Sequence, residues 1–182
     1  MRKILIFLAG FMWCQVLSGQ QWQTDRGTVV FTSEATFNSF SGTSEYLNGI
    51  IDFASNQLDF YLDLNTLRTG IKLRDKHMRD NYLETAKYPY AEFTGSFPEL
   101  PPTEFSGEIK VAAEGVFKIH GVTKPVLIEG TLIKGSEGNL ILKASFDVLL
   151  LDYDIVIPKI LGYELAELQK IEVNATLEKL KP

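Results

Sequence analysis

The stretch "GEIKVAAEGVFKIHG", residues 107–121, decides the fold. Ile109, Val111, Ala113, Phe117 and Ile119 fall on one parity, and Lys110, Glu114, Lys118 and His120 on the other. A period of two is the mark of a strand with one buried and one wet face, the pattern of antiparallel sheets. The pattern recurs on both sides. In "NQLDFYLDL" (56–64), Leu58, Phe60, Leu62 and Leu64 share one face, with Asp59, Tyr61 and Asp63 on the other. "NLILKASFDVLLL" (139–151) aligns Leu140, Leu142, Ala144, Phe146 and Val148. "IEVNATLEKL" (171–180) sets Ile171, Val173, Ala175 and Leu177 against Glu172, Asn174, Thr176 and Glu178. Gly49, Pro98–Pro102, Gly121–Pro125 and Gly135–Gly138 read as the turns between runs.

About eight strands at regular spacing predict an all-β, antiparallel chain that closes into an eight-stranded barrel or stacks as a sandwich, because either removes exposed edges. The interior of such a barrel is either filled by side chains or holds one small ligand. By parity, Phe60, Leu62, Phe117, Ile119, Leu142, Phe146 and Val148 are the candidate apolar lining, and plain core packing explains each of them equally well. Two stretches resist the strand reading. Thr69–Asn81 carries Ile71, Arg74 and Met78 at helical spacing; Pro158–Gln169 opens on proline and carries Ile160, Leu161, Leu165 and Leu168. Both are expected as short helices covering an end of the barrel.

The chain has 182 residues, enough for one domain with a sizeable core. Its start reads differently from the rest. Arg2 and Lys3 precede an apolar run, Ile4–Leu17, broken only by Gly10 and Gln15 and followed by Ser18 and Gly19. This is the pattern of a secretory signal over 1–19, with one barrel domain over 20–182. The run is shorter than the roughly 20 residues of a membrane-spanning helix. Cleavage near Gly19 would deliver a periplasmic or secreted protein with no stable membrane span. The single cysteine, Cys14, lies inside the signal, after Met12 and Trp13 rather than the small residues that precede a lipid-anchored cysteine. The mature chain therefore lacks disulfides and thiolates. Without Arg2 and Lys3 it carries 16 basic and 23 acidic residues, a net charge of −7, which excludes a nucleic-acid backbone as partner.

The chemistry of "IKLRDKHMRDNYLETAKYP" (71–89) needs separate treatment. A catalytic reading makes His77 a base oriented by Asp75, Asp80 or Glu84, but no G-x-S-x-G elbow supplies a nucleophile. A metal reading has only His77 and His120, far apart and without H-x-x-x-H or H-E-x-x-H spacing. The sequence thus points to no catalytic residue, no metal and no enzyme. The plainest reading is an amphipathic segment packed on the barrel end.

The same residues resemble a known family. "LRDKHMRDNYLETAKYP" is similar to the R-D-x-H-L-R-S-x-x-F-F-x-x-x-x-Y-P segment of the YceI-like, polyisoprenoid-binding-like proteins, with Arg74, Asp75, His77, Arg79, Tyr88 and Pro89 matching. "GVFKIHGVTKPV" (115–126) resembles the family's G-x-L-T-I-R-G-V-T-K-P-V, and "NGIIDF" (48–53) precedes the first motif at the expected distance. The resemblance runs from about Asp25 to Leu180. It departs where the family has an Asp-Arg pair and this chain has Leu149 and Leu150, at Glu34-Ala35 where a histidine is frequent, and at His120 where arginine is common.

The resemblance implies a lipocalin-like periplasmic barrel that holds a long-chain isoprenoid, quinone or similar amphiphilic lipid non-covalently in an apolar tunnel, without other cofactors. Arg74, His77 and Arg79 would stand at its rim, with Tyr82, Leu83 and Tyr88 as an aromatic lip. A homodimer stays open. The competing reading is a small filled barrel that acts through its surface as a partner-binding or stress-related protein. The reading of the start predicts that envelope-isolated protein begins between Gly19 and Gln21. N-terminal sequencing checks this, and finding Met1 on that material would refute it.

Overall fold

The structure, a computed structural model, describes residues 21–35, 38–102, 104–157 and 165–180. The proposed signal, residues 1–19, lies outside them. Eight strands run in chain order: β1 (Gln21–Glu34), β2 (Ser39–Asp52), β3 (Gln57–Asp63), β4 (Tyr90–Ser96), β5 (Glu108–Ile119), β6 (Val122–Lys134), β7 (Leu140–Leu149) and β8 (Leu168–Lys179). Each pairs antiparallel with the next, and β8 returns to pair with β1, so the barrel is closed and leaves no sheet edge. One short helix, α1 (Lys72–His77), continues into a π turn over Met78–Tyr82 between β3 and β4.

Up-and-down order places the connections on two ends. The β1–β2, β3–β4, β5–β6 and β7–β8 connections share one end with α1, the covered end. The other end carries the Phe53–Asn56 turn, the 97–107 connection, the 135–139 turn and the paired start of β1 and end of β8, where Leu180 N–H donates to Gln21 O at 2.8 Å. This second end is closed by buried side chains. Ile51, Leu132, Leu140 and Leu177 are wholly buried there, Phe53 stacks on Phe97 at 5.9 Å, and the Lys134 ammonium sits 4.8 Å above the Trp22 ring.

The parity of the sequence carries over into the barrel. Leu58, Phe60 and Leu62 of β3, and Ala113, Phe117 and Ile119 of β5, are buried, while their neighbours Asp59, Tyr61, Glu114 and Lys118 are exposed. Several local expectations need correction. Gly49 is not a turn: it lies within β2 opposite Phe60, and the chain turns at Phe53–Asn56. An added Cβ at Gly49 would overlap the Phe60 ring, so this glycine is there for space. The β5–β6 turn is His120-Gly121 alone, both with positive φ (53° and 78°), and Val122–Pro125 already belong to β6. Such a two-residue turn matches the twist of the strands it joins. Within the expected helix 158–169, residues 158–164 lie outside the description, Leu165–Glu167 are not helical, and Leu168 and Gln169 open β8. Pairing wins there: Gln169 stands opposite both Ser33 of β1 and Val148 of β7.

Gly49→Ala should force the Phe60 ring off the wall and cost about 1–3 kcal/mol, the usual cost of overpacking. The urea midpoint of the variant measures this; an unchanged midpoint would show that the ring moves freely.

Candidate functional site

Toward the covered end the barrel is hollow. A cavity of about 210 Å³ lies between the strands and the α1 segment. All seven side chains assigned to the lining by parity face it: Phe60 and Leu62 from β3, Phe117 and Ile119 from β5, and Leu142, Phe146 and Val148 from β7. The hollow persists because several rings lie along the wall. Phe31 covers Gly42, its cross-strand partner, and Phe60 covers Gly49 in the same way. Phe117 meets Phe146 edge-on at 5.2 Å and Tyr153 at 5.7 Å.

The rim expectation divides. Arg74, Tyr82 and Leu83 line the cavity, joined by Met78 from the same segment. His77 and Arg79 are half-buried on that segment and stand outside the lining. Tyr88 also stands outside it and packs against His120, ring to ring at 4.8 Å, under the β5–β6 turn. His120 bonds Glu84 Oε2 through Nε2 at 2.9 Å and the Tyr153 carbonyl through Nδ1 at 3.1 Å. The arrangement ties three connections of the covered end together.

Sequence reading missed the contribution of β1 and β2. Val29, Phe31, Phe40 and Leu47 line the cavity, as do Phe93 of β4 and Gln169 of β8. The alternation of Val29, Phe31 and Ser33 was the available signal for β1. It is interrupted upstream by register shifts around Asp25 and Arg26, which put Trp22 and Val29 on the same side despite opposite parity.

The cover is held down by polar contacts. Asp75 is only 5% exposed, and its Oδ1 accepts from Thr69 N–H at 2.8 Å and Thr69 Oγ1 at 2.6 Å. Arg74 donates from Nε to Thr69 Oγ1 at 3.0 Å and lays its guanidinium 4.2 Å from the Phe40 ring centroid. Thr43 and Arg68 exchange backbone hydrogen bonds, and Leu64 N–H donates to Pro89 O. Burial acts to raise the Asp75 pKa, but the two Thr69 bonds and the Arg68 and Arg79 charges outweigh it and hold the group below the usual carboxylate range. The Arg-Asp pair of the charged stretch is therefore a clasp. Among the described residues no cluster of three His, Cys, Asp or Glu side chains could hold a metal ion. No described helix is long and apolar enough to cross a membrane.

A closed up-and-down barrel of eight strands around an apolar cavity is an architecture shared with small ligand-binding barrels. This chain belongs to the YceI-like family, whose domain model matches residues 20–178. It is 32% identical to Protein YceI of Escherichia coli O157:H7 over 99 residues, 54% of this chain and 48% of that protein. The same identity and aligned length relate it to a UPF0312 protein of Photorhabdus laumondii, with 47% of that protein covered. The matches span about half the length of these relatives. Among solved structures, the fold is similar to a polyisoprenoid binding domain from Saccharophagus degradans, implicated in plant cell wall breakdown (TM-score 0.73, 17% identity, 90% of this chain and 100% of that one). It is also similar to BcnA of Burkholderia cenocepacia (TM-score 0.63, 12% identity, 84% and 96% covered).

Because the folded-state pKa of Asp75 is depressed, its contribution is present at neutral pH and is lost as pH falls below the ordinary value of 3.8. Asp75→Asn should lower stability at pH 7 by about 1.5–3 kcal/mol, the scale of a hydrogen bond to a charged group. The gap to wild type should narrow as pH approaches 3. Urea midpoints across that range test the sign, and a gap independent of pH would refute it.

Proposed function

We propose that this protein is an exported carrier that takes the apolar chain of an amphiphilic lipid into the barrel, with the polar end of the lipid at the covered end. The observation that carries this reading is the cavity of about 210 Å³, walled by phenylalanine and aliphatic side chains inside a closed barrel. Burying a hydrocarbon chain there is favourable by about 0.8 kcal/mol per CH₂. The direction follows from packing. Ile51, Leu132, Leu140 and Leu177 are wholly buried and apolar at the far end, an environment unsuited to a polar headgroup. The covered end has polar side chains, Arg74 and Gln169, beside the cavity.

The isoprenoid chain common to polyprenols and quinone-like lipids fits the cavity, since branched chains pack well against mixed aromatic and aliphatic walls. The Saccharophagus degradans domain, which shares the fold, is described as polyisoprenoid-binding, and this supports the choice. The cavity is smaller than the roughly 300–1,000 Å³ of pockets for drug-sized ligands. A long tail would therefore require Phe117 and Phe146 to turn, or would extend out through the mouth. Export rests on the signal-like residues 1–19. The filled-barrel alternative draws on the buried side chains that close the far end, but the hollow near the cover favours the carrier.

Phe117→Trp separates the two readings. In a carrier the larger ring takes space that the ligand would use, so binding weakens at least tenfold, about 1.4 kcal/mol, with stability nearly kept. In a filled barrel the change is overpacking and costs about 1–3 kcal/mol with no ligand to lose. Native mass spectrometry of protein from its own cells, beside urea melts of both forms, distinguishes these outcomes. A large drop in midpoint with no co-purifying lipid in either sample would overturn the carrier reading.

A further inference from the structure

One row of paired residues crosses the barrel wall at the covered end. Ser33 of β1 stands opposite Phe40 of β2 on one side and Gln169 of β8 on the other; Gln169 in turn stands opposite Val148 of β7. Ser33 is fully buried and Gln169 is 5% exposed. Phe40, Gln169 and Val148 all line the cavity.

The Gln169 amide has a defined orientation. Its Nε2 donates to the Ala166 carbonyl at 2.6 Å and to Ser33 Oγ at 3.3 Å, and Ser33 Oγ also accepts from Ala166 N–H at 3.0 Å. Turning the amide over would set its oxygen against the Ala166 carbonyl oxygen, so the assignment of oxygen and nitrogen is fixed by the network. Gln169 Oε1 is consequently left buried and accepts no hydrogen bond from any described residue. Buried amide oxygens are ordinarily satisfied, so one without a partner, on a residue that lines the cavity, calls for a partner from outside the chain. Among the described residues, the other buried side-chain oxygen without a partner, Asn139 Oδ1, belongs to the β6–β7 turn at the opposite end and is not among the cavity-lining residues.

We infer that Gln169 Oε1 is the headgroup acceptor of this barrel, selecting amphiphiles that end in a neutral hydrogen-bond donor, a hydroxyl above all. The inference rests on the carrier reading and names the ligand class for it. An ether, a quinone carbonyl or a phosphate brings only lone pairs to Gln169 Oε1 and is repelled. A hydroxyl gives it a proton and keeps its own lone pairs for a donor. Arg74 is a donor-only group on the same cavity, stacked on Phe40, which stands two positions along the row from Gln169, beyond Ser33.

Displacement of the neutral fluorescent probe N-phenyl-1-naphthylamine tests this with three ligands that share one chain: geraniol, geranyl methyl ether and geranyl phosphate. Geraniol should bind the unmodified protein at least tenfold more tightly than the ether, about 1.4 kcal/mol, and more tightly than the phosphate. Gln169→Leu should bring geraniol down to the ether's level and leave the ether unchanged. The unmodified protein decides the matter alone if that variant does not fold. Equal affinity for geraniol and its ether, or tighter binding of the phosphate, would overturn the Gln169 assignment while leaving the carrier reading standing. Failure of the probe and all three ligands to bind would overturn both.

Discussion

The hollow of this barrel depends on phenyl rings lying flat against glycine. A closed sheet of eight strands encloses an interior that large side chains readily fill. Here Phe31 lies over Gly42 and Phe60 over Gly49, each across one strand pairing, in space that any Cβ would occupy. Such pairs also cover the backbone of a residue with no side chain of its own, a recognised way of steadying glycine in sheets. The rings thereby become wall rather than filling. At the far end Ile51, Leu132, Leu140 and Leu177 are wholly buried and close the interior.

A hollow apolar end needs a roof, and the charged segment between β3 and β4 supplies it. Met78, Tyr82 and Leu83 face down into the cavity. The hydrophilic side of the same segment is fastened by Asp75 to Thr69 and by the Thr43–Arg68 backbone bridge to β2. The concentration of charge around His77 thus has a mechanical reading. Asp75 is buried because it fixes the entry to α1, and Arg74 is placed where it covers Phe40. Lys76 pairs with Asp80 in solvent, a contact worth little by itself.

The departures from the family motif also acquire a structural meaning. Leu150, standing where the family has a charged residue, is buried and lines the cavity; Leu149 beside it points outward. The polar group in the nearby wall, Gln169, comes from the start of β8 and is held by Ser33.

Alternation of apolar and polar residues determined the strands β3, β5, β7 and β8 and the inward faces of all four, because a strand's side chains alternate whatever lies across from it. That is why Phe60, Phe117, Phe146 and their neighbours were legible as lining. The clasp residues Arg74 and Asp75 were legible as a motif, though not as a clasp. What only tertiary structure decided depends on cross-strand neighbours. Gly49 reads as a turn until Phe60 is seen to lie on it. Trp22 and Val29 appear to face opposite ways until the register shifts near Asp25 and Arg26 are known. Gln169 reads as part of a helix until Ser33 and Val148 pair with it from either side. Closure of β8 onto β1 joins residues separated by nearly the whole chain, and no local pattern specifies which of them will meet.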